Sequence, residues 1–135
     1  MKEKVLKTLE ELGFSPELAQ GNDGYYIFHY EGLNYLWMVN DDDPEFLSLS
    51  LPGILDVDDD NREIVRDLIE RINSSIKYIK VYLMSPDSVW MFYERKLMDE
   101  EDYEKVISHM IFQLERSNMY ALNTYRKMQE EANEE

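Results

Sequence analysis

The chain has no cysteine. That single absence excludes disulfides, a thiolate nucleophile, iron–sulfur clusters and thiolate-bound zinc, and it makes a reducing cytoplasm the expected compartment. Histidine is nearly as scarce, with only His29 and His109, so a histidine-rich metal site would have to take its other ligands from carboxylates. The five glycines are scattered, and none stands in a strand-to-helix G-x-G-x-x-G setting that would cradle a phosphate. No serine lies in a G-x-S-x-G elbow; His29 and a serine would supply the residue types of a nucleophilic pair, but types alone do not place one. No apolar run approaches the roughly 18 residues of a membrane span, and the opening MKEKVLKTLEEL has helical charge spacing rather than a signal-peptide pattern, so a soluble, unprocessed chain is expected. Basic residues are also few, 14 Lys+Arg against 29 Asp+Glu, for a net charge of −15. A field of that sign repels phosphate backbones and anionic bilayers, so neither nucleic acid nor membrane is an expected partner. It would attract a basic protein or peptide.

What is present is enough apolar material, 44% of 135 residues, for one domain over residues 1–135 with a single core. Val5, Leu6, Leu9 and Leu12 at helical spacing, followed by Gly13, predict a short first helix. SPELAQGNDG, residues 15–24, reads as a loop with at most one helical turn after Pro16. YYIFHYEGLNYLWMVN then holds two aromatic, β-branched runs around Glu31-Gly32, the pattern of a hairpin. EFLSLSL alternates leucine with serine, predicting a third strand with a half-wet face that Pro52-Gly53 ends. Ile64, Val65, Leu68, Ile69 and Ile72 form the stripe of a second helix. KYIKVYLM and VWMFYERKL, separated by Ser85-Pro86-Asp87-Ser88, predict two further strands. From Asp99 onward helical spacing runs nearly to the end, with residues 129–135 expected to fray as an acidic tail. A helix of about 30 residues would be roughly 45 Å long. Beyond about Ser117 it must therefore bend, protrude or pack on something else.

The predicted order is α-β(3)-α-β(2)-α, an α+β two-layer sandwich with an antiparallel sheet and its helices gathered on one face. With REIVRDLIERIN as the helix between the three-strand and two-strand runs, this order, size and acidity resemble the secretion-chaperone-like fold. That fold is shared by class I type III secretion chaperones and the YbjN-like family of bacterial proteins, and the resemblance spans Val5 to about Met128. It implies a homodimer that binds other protein segments without catalysis. No short motif accompanies it, so it transfers no residue by position, and the long tyrosine-bearing last helix departs from the pattern.

One stretch invites a metal reading. In ILDVDDDNREIV, Asp56, Asp58 and Asp60 fall at positions one, three and five of a calcium loop, with Asp67 at position twelve. The match then fails: Asn61 replaces the turn glycine, Glu63 an apolar residue, Asp67 a bidentate glutamate, and a strand precedes the loop where a helix should. The same residues are explained as the acidic, capped start of the second helix, with Asp59 or Asp60 as cap. The acidic run over residues 40–44 reads as a solvated turn. A small metal-dependent hydrolase using Asp56, Asp58 and Asp60 with His29 is the alternative function. No cofactor or metal is expected on the main reading.

The strands are apolar on both faces, whereas a sheet covered by helices on one side should alternate more cleanly. Aromatic and methionine-rich surface marks contacts. Tyr26, Phe28, Tyr35, Trp37, Trp90, Phe92 and, on the last helix, Tyr125 are the expected partner-binding residues. The expected function is a non-catalytic, chaperone-like or regulatory protein-binding domain, cytoplasmic and homodimeric. An acidic mimic of nucleic acid would need a stripe of charge along one face, and the acids are too dispersed.

Overall fold

α1 (Lys2–Glu11) buries Val5 and Leu9 one turn apart and ends at Gly13, whose φ of 96° suits a residue without Cβ. The N–H of Phe14 reaches back to the Leu9 carbonyl at 2.9 Å and that of Gly13 to Glu10 at 3.0 Å, which satisfies carbonyls the helix would otherwise leave open. The computed structural model describes residues 2–19, 24–84 and 87–134; the expected turns at residues 20–23 and at Ser85-Pro86 lie outside them. After Pro16 the chain forms no helical turn. It makes a two-residue strand, β1 (Glu17–Leu18), because the edge of the next strand offers partners: Glu17 pairs with Ile27 and Leu18 with Tyr26.

β2 (Tyr25–Tyr30) and β3 (Leu33–Met38) close as a hairpin through Glu31 and Gly32, at φ 51° and 76°. These are the angles of a type I′ turn, whose twist matches that of the strands it joins. β4 (Phe46–Asp56) is longer than its alternating run predicts. Pro52 and Gly53 do not end it but form a bulge, at which the register on the neighbouring strand moves from Leu51↔Met91 to Leu55↔Val89, with Gly53 at φ 61°. α2 (Arg62–Ser75) then crosses to the far edge, the chain enters β5 (Ile79–Met84), and β6 (Ser88–Lys96) returns between β5 and β4. The sheet is antiparallel throughout, in the order β1-β2-β3-β4-β6-β5.

The core fills the space between one sheet face and the helices. Phe28, Tyr35, Trp37, Leu47, Leu49, Leu51, Val81 and Met91 face Val5, Leu9, Val65, Leu68, Ile72, Ile107, Met110 and Leu114. Phe28 and Tyr35 stack at 5.2 Å, and the Tyr35 hydroxyl donates to the Ile111 carbonyl at 3.3 Å. α3 (Tyr103–Asn133) starts at Asp102, whose side chain accepts from the Lys105 N–H. Its distal half packs back on the fold, with Tyr125 and Met128 against the core. Ser117, Asn118 and Ala121 are buried, small enough for close approach, and Leu122 reaches the bulge of β4 near Pro52 and Gly53. One turn on, the Tyr125 hydroxyl accepts from Asn61 Nδ2 at 3.0 Å and from Gln129 Nε2 at 2.9 Å. Anchored there, the helix continues through the acidic segment expected to fray, as far as Asn133.

Both sheet edges are modified. β1 covers part of β2 with only two residues. At the other edge Asn73, on α2, turns its amide onto β5: Nδ2 donates to the Val81 carbonyl and Oδ1 accepts from the Val81 N–H, each at 2.8 Å.

Candidate functional site

The sheet face turned away from the helices is the candidate site, and strand alternation determines its composition. Because Leu47, Leu49 and Leu51 point into the core, Ser48 and Ser50 of β4 point outward. Their neighbours are large: Leu36 and Met38 from β3, Trp90 and Phe92 from β6, then Tyr25 from β2 and Tyr82 and Met84 from β5. Small residues on the central strand and large ones beside it leave a trough of about 130 Å³ lined by strand residues alone. Ser48 and Ser50 are therefore not the wet face expected from the sequence; their own neighbours bury them.

The aromatic groups of this face order one another. Phe92 stacks on Tyr82 at 4.7 Å and on Trp90 at 6.1 Å, and it is only 8% exposed although no described helix lies over it. Trp90 Nε1 donates to the Ser88 hydroxyl at 3.0 Å. The polar groups pair among themselves. The Ser48 hydroxyl donates to Glu94 Oε2 at 2.9 Å, and Glu94 Oε1 meets Lys80 Nζ at 2.7 Å. The hydrogen bond to Glu94, more than the Coulomb attraction, raises the Lys80 pKa. What remains open to an incoming group is mostly apolar, including Tyr82 at 38% exposure.

The residues expected to bind a partner do not share one surface. Trp90 and Phe92 lie on the open face. Phe28, Tyr35 and Trp37 lie on the opposite face, in the core, with Trp37 only 3% exposed. Tyr26 is half-buried on that same helix side, stacked on Trp37 at 5.0 Å. Tyr125 is half-buried, its hydroxyl engaged by Asn61 and Gln129. Tyr25, Leu36, Met38, Tyr82 and Met84 line the trough and were not anticipated. The two-residue hairpin turn does fix Phe28 opposite Tyr35, so one buried member of the pair assigns the other. Which face Trp90 joins follows only from the long-range register Leu49↔Tyr93.

A second apolar surface lies on α3, where Phe112, Met119 and Tyr120 are exposed at i, i+7 and i+8. Phe112 borders a groove with Leu12, Phe14 and Tyr30.

The aspartate loop closes on itself. Asp58 Oδ1 accepts from the N–H groups of Asp60 and Asn61, both at 2.9 Å, while Asn61 Oδ1 accepts from the Asp58 N–H at 2.8 Å and Asn61 Nδ2 donates to the Asp56 carbonyl at 2.9 Å. Asp58 thus organises the turn before the helix, while the residue at the N-cap is Asn61, not Asp59 or Asp60, and it makes no side-chain cap bond. Among the described residues no three His, Asp or Glu side chains group so as to hold a metal. His29 pairs with Asn34 on the β2–β3 hairpin, and His109 with the Tyr93 hydroxyl at 3.0 Å on the helix side. Asp56, Asp58, Asp60 and His29 thus form no common pocket, and the hydrolase alternative gains no support. The turn over residues 40–45 is exposed, with Asn40 Oδ1 accepting from the Asp42 N–H at 3.1 Å, and it sits at the opposite end of β4 from the aspartate loop.

No family model and no curated sequence matches this chain. Solved structures do: the α+β sheet-and-helix arrangement is a YbjN-like fold. One match is the crystal structure of YbjN from E. coli, a protein described as a candidate transcription regulator, with a TM-score of 0.70 and 14% identity over 94% of this chain and 93% of that one. Another is an uncharacterised protein from Methanothermobacter thermautotrophicus, with a TM-score of 0.65 and 13% identity over 93% and 96%. Neither description names an enzymatic activity. Among the described residues no helix is long and apolar enough to cross a membrane.

Proposed function

We propose that this protein is a non-catalytic binding domain, chaperone-like or regulatory, that seats a segment of another protein on its open sheet face and acts in the cytoplasm. The observation that carries this reading is the trough itself: an aromatic, methionine-bearing surface whose polar groups are paired with one another and over which no described helix packs. Such surfaces mark contacts when they form contiguous patches, and Tyr, Trp and Met are side chains suited to them. The regulatory description of YbjN agrees with a binding role. The homodimer of this reading uses the exposed strip of Phe112, Met119 and Tyr120 on α3, which leaves the trough free.

The test is co-purification with mass spectrometry, comparing the wild type with a trough variant, Tyr82→Ser with Trp90→Ser, and a helix variant, Phe112→Ser with Met119→Ser. Loss of one specific partner in the trough variant alone, with unchanged thermal unfolding, is the expected result. A partner retained by the trough variant would overturn the assignment. Sedimentation of the helix variant tests the dimer.

A further inference from the structure

The trough follows β4, and β4 has acid at both ends. At its start the turn exposes Asp42, Asp43 and Glu45, of which only Glu45 has an ion-pair partner among the described residues, Lys96 at 3.6 Å; Asp41, also exposed, borders a cavity with Lys2, Val5 and Trp37 on the helix side. At its end Asp56 and Asp59 are exposed, and the pairing of Asp56 with Ser88 brings Asp87 alongside, where Arg62 meets it at 3.3 Å; Asp58 and Asp60, also exposed, border a cavity with Ile64 and Tyr125 on the helix side. Between them lie the serine floor and apolar walls of the trough, whose one carboxylate, Glu94, is neutralised by Lys80. At strand rise, and allowing for the bulge, the two acidic groups stand roughly 30 Å apart.

We propose that the occupant of this face is an extended segment of another protein, apolar at its centre and carrying lysine or arginine at both ends, lying along β4. The inference rests on the binding role assigned above and adds the chemistry of what is bound. An extended segment turns every second side chain toward the sheet; over Ser48 and Ser50 those side chains have depth to enter, while the basic ends reach the acidic ones. A second copy of this chain fits worse. Packed sheets keep their strands roughly aligned, so with acid at both ends a face-to-face pair opposes like charges whichever way the strands run, between two molecules of −15 each.

Synthetic peptides of about twelve residues, the length that spans the two acidic ends, supply the probe: a Val-Thr centre with two lysines at each end, the same centre with glutamate ends, and lysine ends on a Ser-Asn centre. Calorimetric titration should detect binding of the first alone, weakening as salt rises because the end contacts are exposed. Replacing Asp42, Asp43, Asp56 and Asp59 by asparagine should weaken it about tenfold, each exposed pair contributing modestly. The Tyr82→Ser and Trp90→Ser pair should abolish it; if that pair unfolds, Tyr82→Ser alone, at an exposed edge position, should weaken it. Equal binding of the glutamate-ended peptide, or no effect of the asparagine variant, would overturn the charge assignment while leaving the open face as a binding surface. Binding indifferent to the trough variants would overturn both. Equal binding of the polar-centred peptide would reduce the effect to surface adhesion, and failure of all three peptides, or a wild-type dimer dispersed by Tyr82→Ser, would likewise overturn the proposal.

Discussion

At Tyr35, burial against Phe28 raises the phenol pKa well above the ordinary tyrosine range, and the nearby carboxylate of Glu115 raises it further. The folded protein thus keeps a proton that the unfolded chain releases near pH 10, so this stabilisation is complete below about pH 10 and declines as pH rises above it. Tyr93 and Tyr103 shift the same way, again chiefly through burial. Tyr35→Phe keeps the ring stack and loses one long hydrogen bond; it should cost about 1 kcal/mol or less at neutral pH and move the alkaline unfolding midpoint upward, as followed by circular dichroism. At Asp58 the expectation is different. Asp58→Ala removes the acceptor for two amides and should cost about 1 kcal/mol in urea denaturation, equally with Ca²⁺ and with EDTA. A Ca²⁺-dependent difference would revive the metal loop. That the cluster forms the turn leading into the helix could be read from residue types, as could the turns at Gly13 and Gly32. That Asn61 rather than an aspartate stands at the cap could not, because it depends on where β4 stops, and β4 runs on through a bulge.

The two tryptophans separate the faces of the sheet at the level of elements. Trp37→Ala should cost about 3–5 kcal/mol, the range for emptying an aromatic core position, whereas Trp90→Ala, on the open face, should cost clearly less and leave a cooperative thermal transition. Asn73→Ala removes both bonds to Val81 and exposes the middle of the β5 edge; a loss of about 1–3 kcal/mol and new concentration-dependent association in sedimentation are expected. The helices, the hairpin and the order of elements along the chain were legible because each rests on local periodicity or turn chemistry. β1 was not, since two exposed residues become a strand only when β2 offers an edge. Nor was the membership of the trough. Alternation says which residues share a face within one strand, but assigning that face to core or surface across β4 and β6 requires a register between distant segments.

For the molecule as a whole, a charge of −15 on 135 residues means self-repulsion in the folded state, which mobile ions screen. Thermal unfolding should therefore shift to higher temperature as NaCl is raised from about 10 mM toward physiological strength, over which the screening length falls from about 30 to 8 Å. A melting temperature indifferent to salt over that range would show the charges to be already balanced locally. The amide of Asn73 has a further consequence. An unguarded sheet edge accepts almost any extended chain, because every backbone presents the same donors and acceptors. With Val81 occupied at one border and β1 laid along part of the other, strand addition is disfavoured and the sheet offers a guest chiefly the trough, where fit depends on its side chains. On the binding role proposed above, guarding the borders would make the protein selective, because one guest sequence is then told from another by its side chains alone.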